Sequence, residues 1–395
     1  MRQRSGNSHD ASLFTAAPLP VAVLDAAERL ACLRLIRSGN VGPVTFRELV
    51  NQFGGAQRAL DALPDLTRRA GGPAHPICPK ADAERELAAA DKIGVRPIFT
   101  IEPGYPASLA ATGVPPPLLY VKGNDELLQK PTVAIVGSRQ ASAAGHKLAR
   151  QFAAELGRAG YVIASGLARG IDGAAHEAAL LTGTVAVVAG GIDIIYPPEH
   201  ADLTQRIAEK GCIVSEMPPG FVPRAKEFPR RNRIIAGVSL GVLVVEAARR
   251  SGTLVTARLA AELGREVFAI PGHPLDPRAE GTNQLLKSGA VFVTEAADLI
   301  AALQPMIEQP EDRGLAREPE TPPAPFSEPA LSHSDRQRVL SALGPHPSDV
   351  DEIGRAAGLS ARAVRLVLVE LDLAGRIERH GQHLVSLLPA SGSFD

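Results

Sequence analysis

From Pro131 to about Leu303, short apolar runs alternate with segments of helical periodicity, at a spacing that only a parallel sheet explains. The runs are Val133–Gly137, Tyr161–Ser165, Val185–Ala189, Ile213–Ser215, Gly241–Val245 and Val267–Ile270, with a further one at Ala290–Val293. The first is typical: four apolar residues bounded by Pro131 and Gly137, with a helical pattern from about Gly145, which is a strand, a turn and a helix. The chain is therefore expected to be α/β, with a Rossmann-like doubly wound parallel sheet as its core over residues 131–304. Ligands of such sheets bind beyond the carboxyl ends of the strands, so a ligand site is expected among the residues that follow each run.

The first run ends in Gly137-Ser138-Arg139. Gly137 lets a ligand approach the backbone, Ser138 offers a hydroxyl, and Arg139 carries a planar fork suited to phosphate. A dinucleotide fingerprint is excluded because Ser138 and Arg139 stand where G-x-G-x-x-G needs its spacing, and a P-loop is excluded because no Gly-Lys pair occurs in the chain. The second run repeats the chemistry in Ser165-Gly166-Leu167-Ala168-Arg169-Gly170-Ile171-Asp172. A basic stretch follows at Arg224–Arg233, with five basic residues against Glu227, and it contains Phe228, Arg231, Asn232 and Arg233 next to an expected helix at Asn232–Val238. After the fifth run, Ser251-Gly252-Thr253 opens another helix, where free N–H groups favour an anion. Glycines also serve tight strand-to-helix turns, and charged runs are often solvated faces. Three such turns, a basic segment with an aromatic ring and no triphosphate motif nevertheless point to an extended polyanion held by its backbone, with single-stranded DNA or RNA fitting better than a mononucleotide.

These residues, together with Gly190-Gly191-Ile192-Asp193, Tyr196-Pro197, Ser251–Ala257, Pro271-Gly272 and Gly281-Thr282-Asn283, resemble the DNA-processing protein A (DprA/Smf) family over about residues 110–303. The resemblance implies binding of incoming single-stranded DNA during natural transformation, loading of the RecA recombinase, and self-association as a homodimer. It carries a DNA-binding role to Ser138, Arg139, Ser165, Gly166, Arg169, Phe228, Arg231, Asn232, Arg233, Ser251, Gly252 and Thr253, with Gly170 in the same turn. Lysine often stands where this chain has Arg169, which keeps the charge and changes the geometry.

The flanks read differently. Residues 1–24 carry no periodic pattern and are expected to be disordered. Residues 25–90 read as short helices around the turn Ser38–Pro43, similar to a SAM or helix-hairpin-helix domain that either holds a DNA phosphate or simply docks. Residues 91–130 look like a connecting segment with strand candidates at Ile98–Ile101 and Leu118–Val121. Residues 305–333 form an acidic, proline-rich linker. Residues 334–388 give three helices, a strand, a turn and a strand, the pattern of a winged helix, with seven Arg, seven Asp or Glu and no Lys. In its third helix Val364, Val367, Leu368 and Leu371 form an apolar face, and any surplus of that face is available to dock elsewhere.

Composition limits the partners. The 395 residues carry a net charge of −1, so a polyanion site must be local, and no apolar run approaches the ~20 residues that span a bilayer. Met1–His9 lacks the apolar core of a signal peptide, and a cytoplasmic protein without membrane association is expected. Cys32, Cys78 and Cys212 lie far apart, and His176-Glu177 lacks a second histidine at metalloprotease spacing, so neither metal nor cofactor is expected. Two other functions stand beside DNA binding. A nucleotide-processing glycosidase of the lysine-decarboxylase-like group would need a carboxylate where Leu254, Val255 and Thr256 follow Thr253, so no enzyme activity is expected. A winged-helix transcription regulator would need a more basic third helix than Ala361–Ala374.

Overall fold

The computed structural model describes residues 23–69, 76–308, 331–381 and 383–388. The amino terminus before residue 23 and residues 309–330 of the expected linker lie outside them. The described chain opens with α1 (Ala26–Arg37), α2 (Pro43–Phe53), α3 (Ala56–Arg69) and α4 (Lys80–Lys92). Asp25 caps α1 by accepting the Glu28 N–H at 2.8 Å, and Pro43 begins α2 where a missing N–H leaves no bond unmade. The Glu28 carboxylate in turn accepts from the N–H groups of Ala56 and Gln57, which places a negative charge on the positive end of α3.

The central unit contains β1 (Arg96–Phe99), α5 (Ala107–Ala110), β2 (Leu118–Gly123), β3 (Thr132–Val136), α6 (Ala143–Arg158), β4 (Val162–Ser165), α7 (Ile171–Ala179), β5 (Thr184–Val187), α8 (Ala201–Lys210) and β6 (Cys212–Ser215). It continues through α9 (Glu227–Val238), β7 (Gly241–Val244), α10 (Thr253–Glu262), β8 (Glu266–Ala269), α11 (Glu280–Lys287), β9 (Val291–Phe292) and α12 (Ala296–Glu308). All nine strands form one sheet in the order β1-β2-β6-β5-β4-β3-β7-β8-β9. It is parallel from β6 to β9, while β2 pairs antiparallel with both β6 and β1. The doubly wound parallel sheet expected from the apolar runs is therefore present. Two strands from residues 91–130 extend it, so that segment is part of the sheet and not a mere connection.

Alternation along each strand feeds two separate cores. Val133 and Ile135 of β3 join Ile163, Leu243 and Phe268 on one face, while Ala134 and Val136 join Val162, Val185 and Val244 on the other. β3 has β4 on one side and β7 on the other, so the chain winds away from it in both directions and leaves a crevice at the carboxyl ends of these three strands. Helix α9 starts at Glu227, five residues before the expected Asn232. Pro229 falls in its first turn, where no intrahelical N–H bond is lost, and so it does not break the helix.

The last described residues form a winged helix: α13 (His333–Ala342), β10 (Ser348–Asp349), α14 (Val350–Ala357), α15 (Ala361–Leu373), β11 (Ile377–His380) and β12 (Leu384–Leu387), with strand order β10-β12-β11. Val364, Val367, Leu368 and Leu371 of α15 pack with Val339, Ile353 and Val385, as their spacing predicts. The other side of α15 is buried as well, at Leu366, Val369 and Leu373, and α15 packs against α2 and α3. Polar contacts fix the pairing. The Thr45 hydroxyl donates to the Asp372 carboxylate, Asn40 Nδ2 donates to the Leu373 carbonyl at 3.2 Å, and Arg379 Nε donates to Asp372 at 2.8 Å. Residues 24–83 and 331–388 thus make one unit from the two ends of the described chain. The surplus apolar face of α15 docks on the amino-terminal helices. The turn Ser38–Pro43, one candidate for a phosphate, spends Asn40 on that contact and its Gly39 N–H on the Pro76 carbonyl at 3.2 Å.

Candidate nucleic-acid interface

Four segments converge at the crevice of the central sheet and line a groove of about 560 Å³. The turn after β3 supplies Ser138, Arg139 and Gln140, and the turn after β4 supplies Ala168, Arg169 and Asp172. The first turns of α9 bring Phe228, Pro229, Arg231 and Asn232, and the β7–α10 loop brings Ala248, Arg250, Ser251, Gly252 and Thr253. Backbone geometry lets the first two turns touch. Gly170 has φ +77°, and a Cβ there would lie 2.2 Å from the Ser138 carbonyl oxygen, which instead accepts the Ile171 N–H at 3.2 Å. The third turn is tied to the first through the Thr253 hydroxyl, which donates to the Gly137 carbonyl at 3.0 Å, while the Thr253 N–H is held by Ser251 Oγ at 3.2 Å. A Cβ at Gly252 would meet nothing, so the backbone there is open to a ligand.

The groove is locally positive. Arg139, Arg169, Arg231 and Arg250 line it against one carboxylate, Asp172, in a chain whose net charge is −1. Arg139 is exposed, and its Cζ lies 5.8 Å from the centroid of the Phe228 ring. Arg169 Nη1 is 3.6 Å from Glu199, a pair with both side chains more than half exposed and therefore weak. Arg231 behaves differently. It is buried, Nη1 donates to the Gly166 carbonyl at 2.5 Å and to the Val187 carbonyl, and Nε donates to Asn232 Oδ1 at 3.1 Å. Burial pulls its pKa down to about 10, which leaves it charged at neutral pH. Asp172 accepts the N–H groups of Gly166 at 3.1 Å and Ala168 at 3.3 Å; burial raises its pKa, and the Arg231 charge opposes that rise.

Nine of the expected residues meet in this groove: Ser138, Arg139, Arg169, Phe228, Arg231, Asn232, Ser251, Gly252 and Thr253. The other four do not line it. Ser165 is fully buried and donates to the Ile135 carbonyl at 2.6 Å, so it ties β4 to β3 beneath the groove. Gly166 holds Arg231 through its carbonyl, and Gly170 presses the two turns together. Arg233 points elsewhere, with Nη2 on Glu216 at 2.6 Å and Nη1 on the Val114 carbonyl at 2.7 Å; Arg230 shares the same buried Glu216 at 2.8 Å. Once this stretch is helical, positions 230 and 233 share one face and 231 with 232 another, so the run of charge divides. Gln140 and Arg250 line the groove without having been singled out, although each follows the carboxyl end of a strand. Beside the groove, Tyr196 packs on Phe228 with centroids 5.3 Å apart and ring planes at 56°, over a slot of about 20 Å³ that also touches Arg139, Gly166 and Arg231. Among the described residues no helix is long and apolar enough to cross a membrane.

Comparison with known proteins finds matches to all three parts of the chain. Residues 96–304 match the family model described as DNA recombination-mediator protein A, residues 26–89 a DprA-like N-terminal HHH domain, and residues 320–383 a DprA winged helix domain. The chain is 44% identical to Protein Smf of Escherichia coli over 283 residues, which are 69% of this chain and 72% of that protein. It is 32% identical to Protein Smf of Synechocystis over 377 residues, 86% and 94% of the two chains. The X-ray structure of DNA processing protein A from Streptococcus pneumoniae superimposes with a TM-score of 0.60 at 34% identity, covering 71% of this chain and 98% of that one. The Helicobacter pylori DNA processing protein A, a structure concerned with its single-stranded DNA binding mode, gives 0.50 at 32% identity over 53% and 96%.

Proposed function

The chain belongs to the DNA recombination-mediator protein A family, and from that premise we propose that its groove holds single-stranded DNA by the phosphate backbone, protecting incoming DNA in the cytoplasm and presenting it to RecA during transformation. The observation that carries the reading is the charge balance at the switch point of the sheet, where Arg139, Arg169 and Arg250 are exposed around Phe228 and the one lining carboxylate is buried against Arg231. Exposed arginines take phosphates without reading bases, and an aromatic face accepts any base. Its lining comes from four separate segments, which suits contacts spread along a strand better than a small ligand held at one point. No chemistry is assigned to it, because Asp172 is engaged by two backbone N–H groups and the Arg231 charge. Action as a homodimer, and transfer of the strand to RecA, belong to the same proposal.

The test is a titration with single-stranded and duplex DNA of equal length over a salt series. Tighter binding of the single strand, with log affinity falling by about 0.7 per log unit of salt for each phosphate neutralised, supports the reading. Equal binding to duplex, or affinity indifferent to salt, refutes it. Release of free base from nucleoside monophosphates would point to the glycosidase instead.

A further inference from the structure

Glu246 stands two residues beyond β7, on the loop that also carries Arg250 and Thr253, and it does not line the groove. Its carboxylate reaches across to Ser142, the residue that closes the turn after β3. One oxygen accepts the Ser142 N–H at 3.0 Å and the other accepts the Ser142 hydroxyl, whose own oxygen accepts the Gly145 N–H at 2.9 Å and caps α6. The first turn of α6 leaves room for this approach, since a Cβ at Gly145 would lie 2.6 Å from the Glu246 carboxyl carbon. The same loop holds the other end of the turn, where the Thr253 hydroxyl donates to the Gly137 carbonyl at 3.0 Å. The β7–α10 loop therefore grips the β3–α6 turn at both ends, and Arg139 and Gln140 stand exposed between the two grips.

We propose that Glu246 is a positioning residue for the groove: acting through Ser142, its carboxylate fixes the far end of the turn so that Arg139 faces a strand held by the β7–α10 loop. The inference rests on the reading of the groove as a single-stranded DNA site and adds to it a residue that touches no DNA. Ser142 by itself would cap α6. What the carboxylate adds is a link between two ligand-bearing loops, and a loose supporting contact is felt at the group meant to meet the ligand. The sign of the effect is diagnostic, because on charge alone a carboxylate on this loop repels phosphate and its removal would tighten binding.

Glu246→Gln keeps the shape, removes the charge and leaves one acceptor oxygen for the two Ser142 donors. The full chain carrying it should bind oligothymidylate about threefold or more weakly. The slope of log affinity against log salt should become shallower by up to about 0.7, as the Arg139 contact is lost. In an Arg139→Ala background the same change should cost less than about twofold, since the group it positions is gone. Ser142→Ala should weaken binding as Glu246→Gln does, whereas Ser142→Thr, which retains the hydroxyl, should keep it at the wild-type value; this pair carries the test if Glu246→Gln fails to fold. A lowered melting temperature with wild-type affinity would show that Glu246 only supports the cap of α6, and would overturn the proposal. Tighter binding by Glu246→Gln, or an equal loss with and without Arg139, would overturn it as well while leaving the groove intact. If Arg139→Ala alone changes nothing, the groove itself is misread and the positioning role falls with it.

Discussion

Replacing Arg139 by alanine should separate DNA affinity from folding more cleanly than any other change in the groove. The side chain is exposed and its recorded contact is with the Phe228 ring at 5.8 Å, so its loss should cost the folded state under about 1 kcal/mol. A charge-assisted bond to phosphate contributes roughly 1.5 to 3 kcal/mol. Part of this is offset, since the guanidinium leaves the ring to reach the ligand and gives up about 0.5 kcal/mol. The net loss of about 1 to 2.5 kcal/mol corresponds to roughly 5- to 60-fold weaker binding. Fluorescence anisotropy with a labelled single strand at several salt concentrations reads both affinity and charge: the slope of log affinity against log salt should become shallower by about 0.7, one phosphate contact. A variant that melts like the wild type and binds with the same affinity and slope would refute the placement of phosphate over Arg139. Weaker binding at an unchanged slope would show that the residue acts through the ring and not through charge.

Arg231→Ala should instead destabilise the central unit by about 3 to 5 kcal/mol, seen in thermal melting, because it strips a buried cation from the carbonyls of Gly166 and Val187 and leaves Asp172 buried without it; a loss below about 1 kcal/mol would mean that water replaces the guanidinium without strain. His176 should make stability depend on pH. The Thr184 hydroxyl donates to the Ile163 carbonyl, so His176 Nδ1 carries the proton in their 2.7 Å bond, and burial, with His200 and Arg231 adding to it, pushes the pKa of His176 down to about 3. The unfolded chain takes up that proton first, near pH 6.5, so the contribution is whole above pH 6.5 and is lost as pH falls toward 3, at up to about 1.4 kcal/mol per pH unit. Denaturant melts at pH 7, 6 and 5 should show this fall in the wild type and a smaller one in His176→Gln, and equal slopes would refute it. Deleting residues 331–395 should leave single-stranded DNA affinity unchanged, yet lower the melting temperature of the amino-terminal helices and create binding of an apolar dye, since Leu366, Val369 and Leu373 bury roughly 1.5 to 3 kcal/mol each; a truncated chain whose helices melt as before would show that α2 and α3 do not depend on α15.

The central sheet was legible because its strands are short, apolar and punctuated by glycine and proline, and because the rule placing ligands at strand carboxyl ends turns a list of strands into a place. Arg139, Arg169 and Thr253 follow three strands that prove to be neighbours at the switch point, and no more than strand order was needed to bring them together. What remained hidden depends on the direction of single side chains. Ser165 and Ser138 look alike in sequence, but the pleat turns Ser165 into the sheet while Ser138 lies beyond the end of its strand. Arg231 and Arg233 look alike too, and two residues of helical rotation send one to the groove and the other to Glu216. The partner of α15 was beyond reach for another reason. A helix apolar on several sides announces that it is covered twice, and its own sequence carries no sign of what covers it.

Asn40 and Leu373, joined by a hydrogen bond, stand 333 residues apart along the chain. At about 5 to 20 residues per second, a ribosome delivers α15 roughly 15 to 65 s after the helices it will rest on. All nine strands of the central sheet are encoded between those two points, so the sheet emerges whole while α2 and α3 still wait for their cover. Translation therefore imposes an order of assembly, central sheet first and helical unit last, and for that interval the nascent chain presents to the cell a helical surface whose cover, α15, has not yet been made.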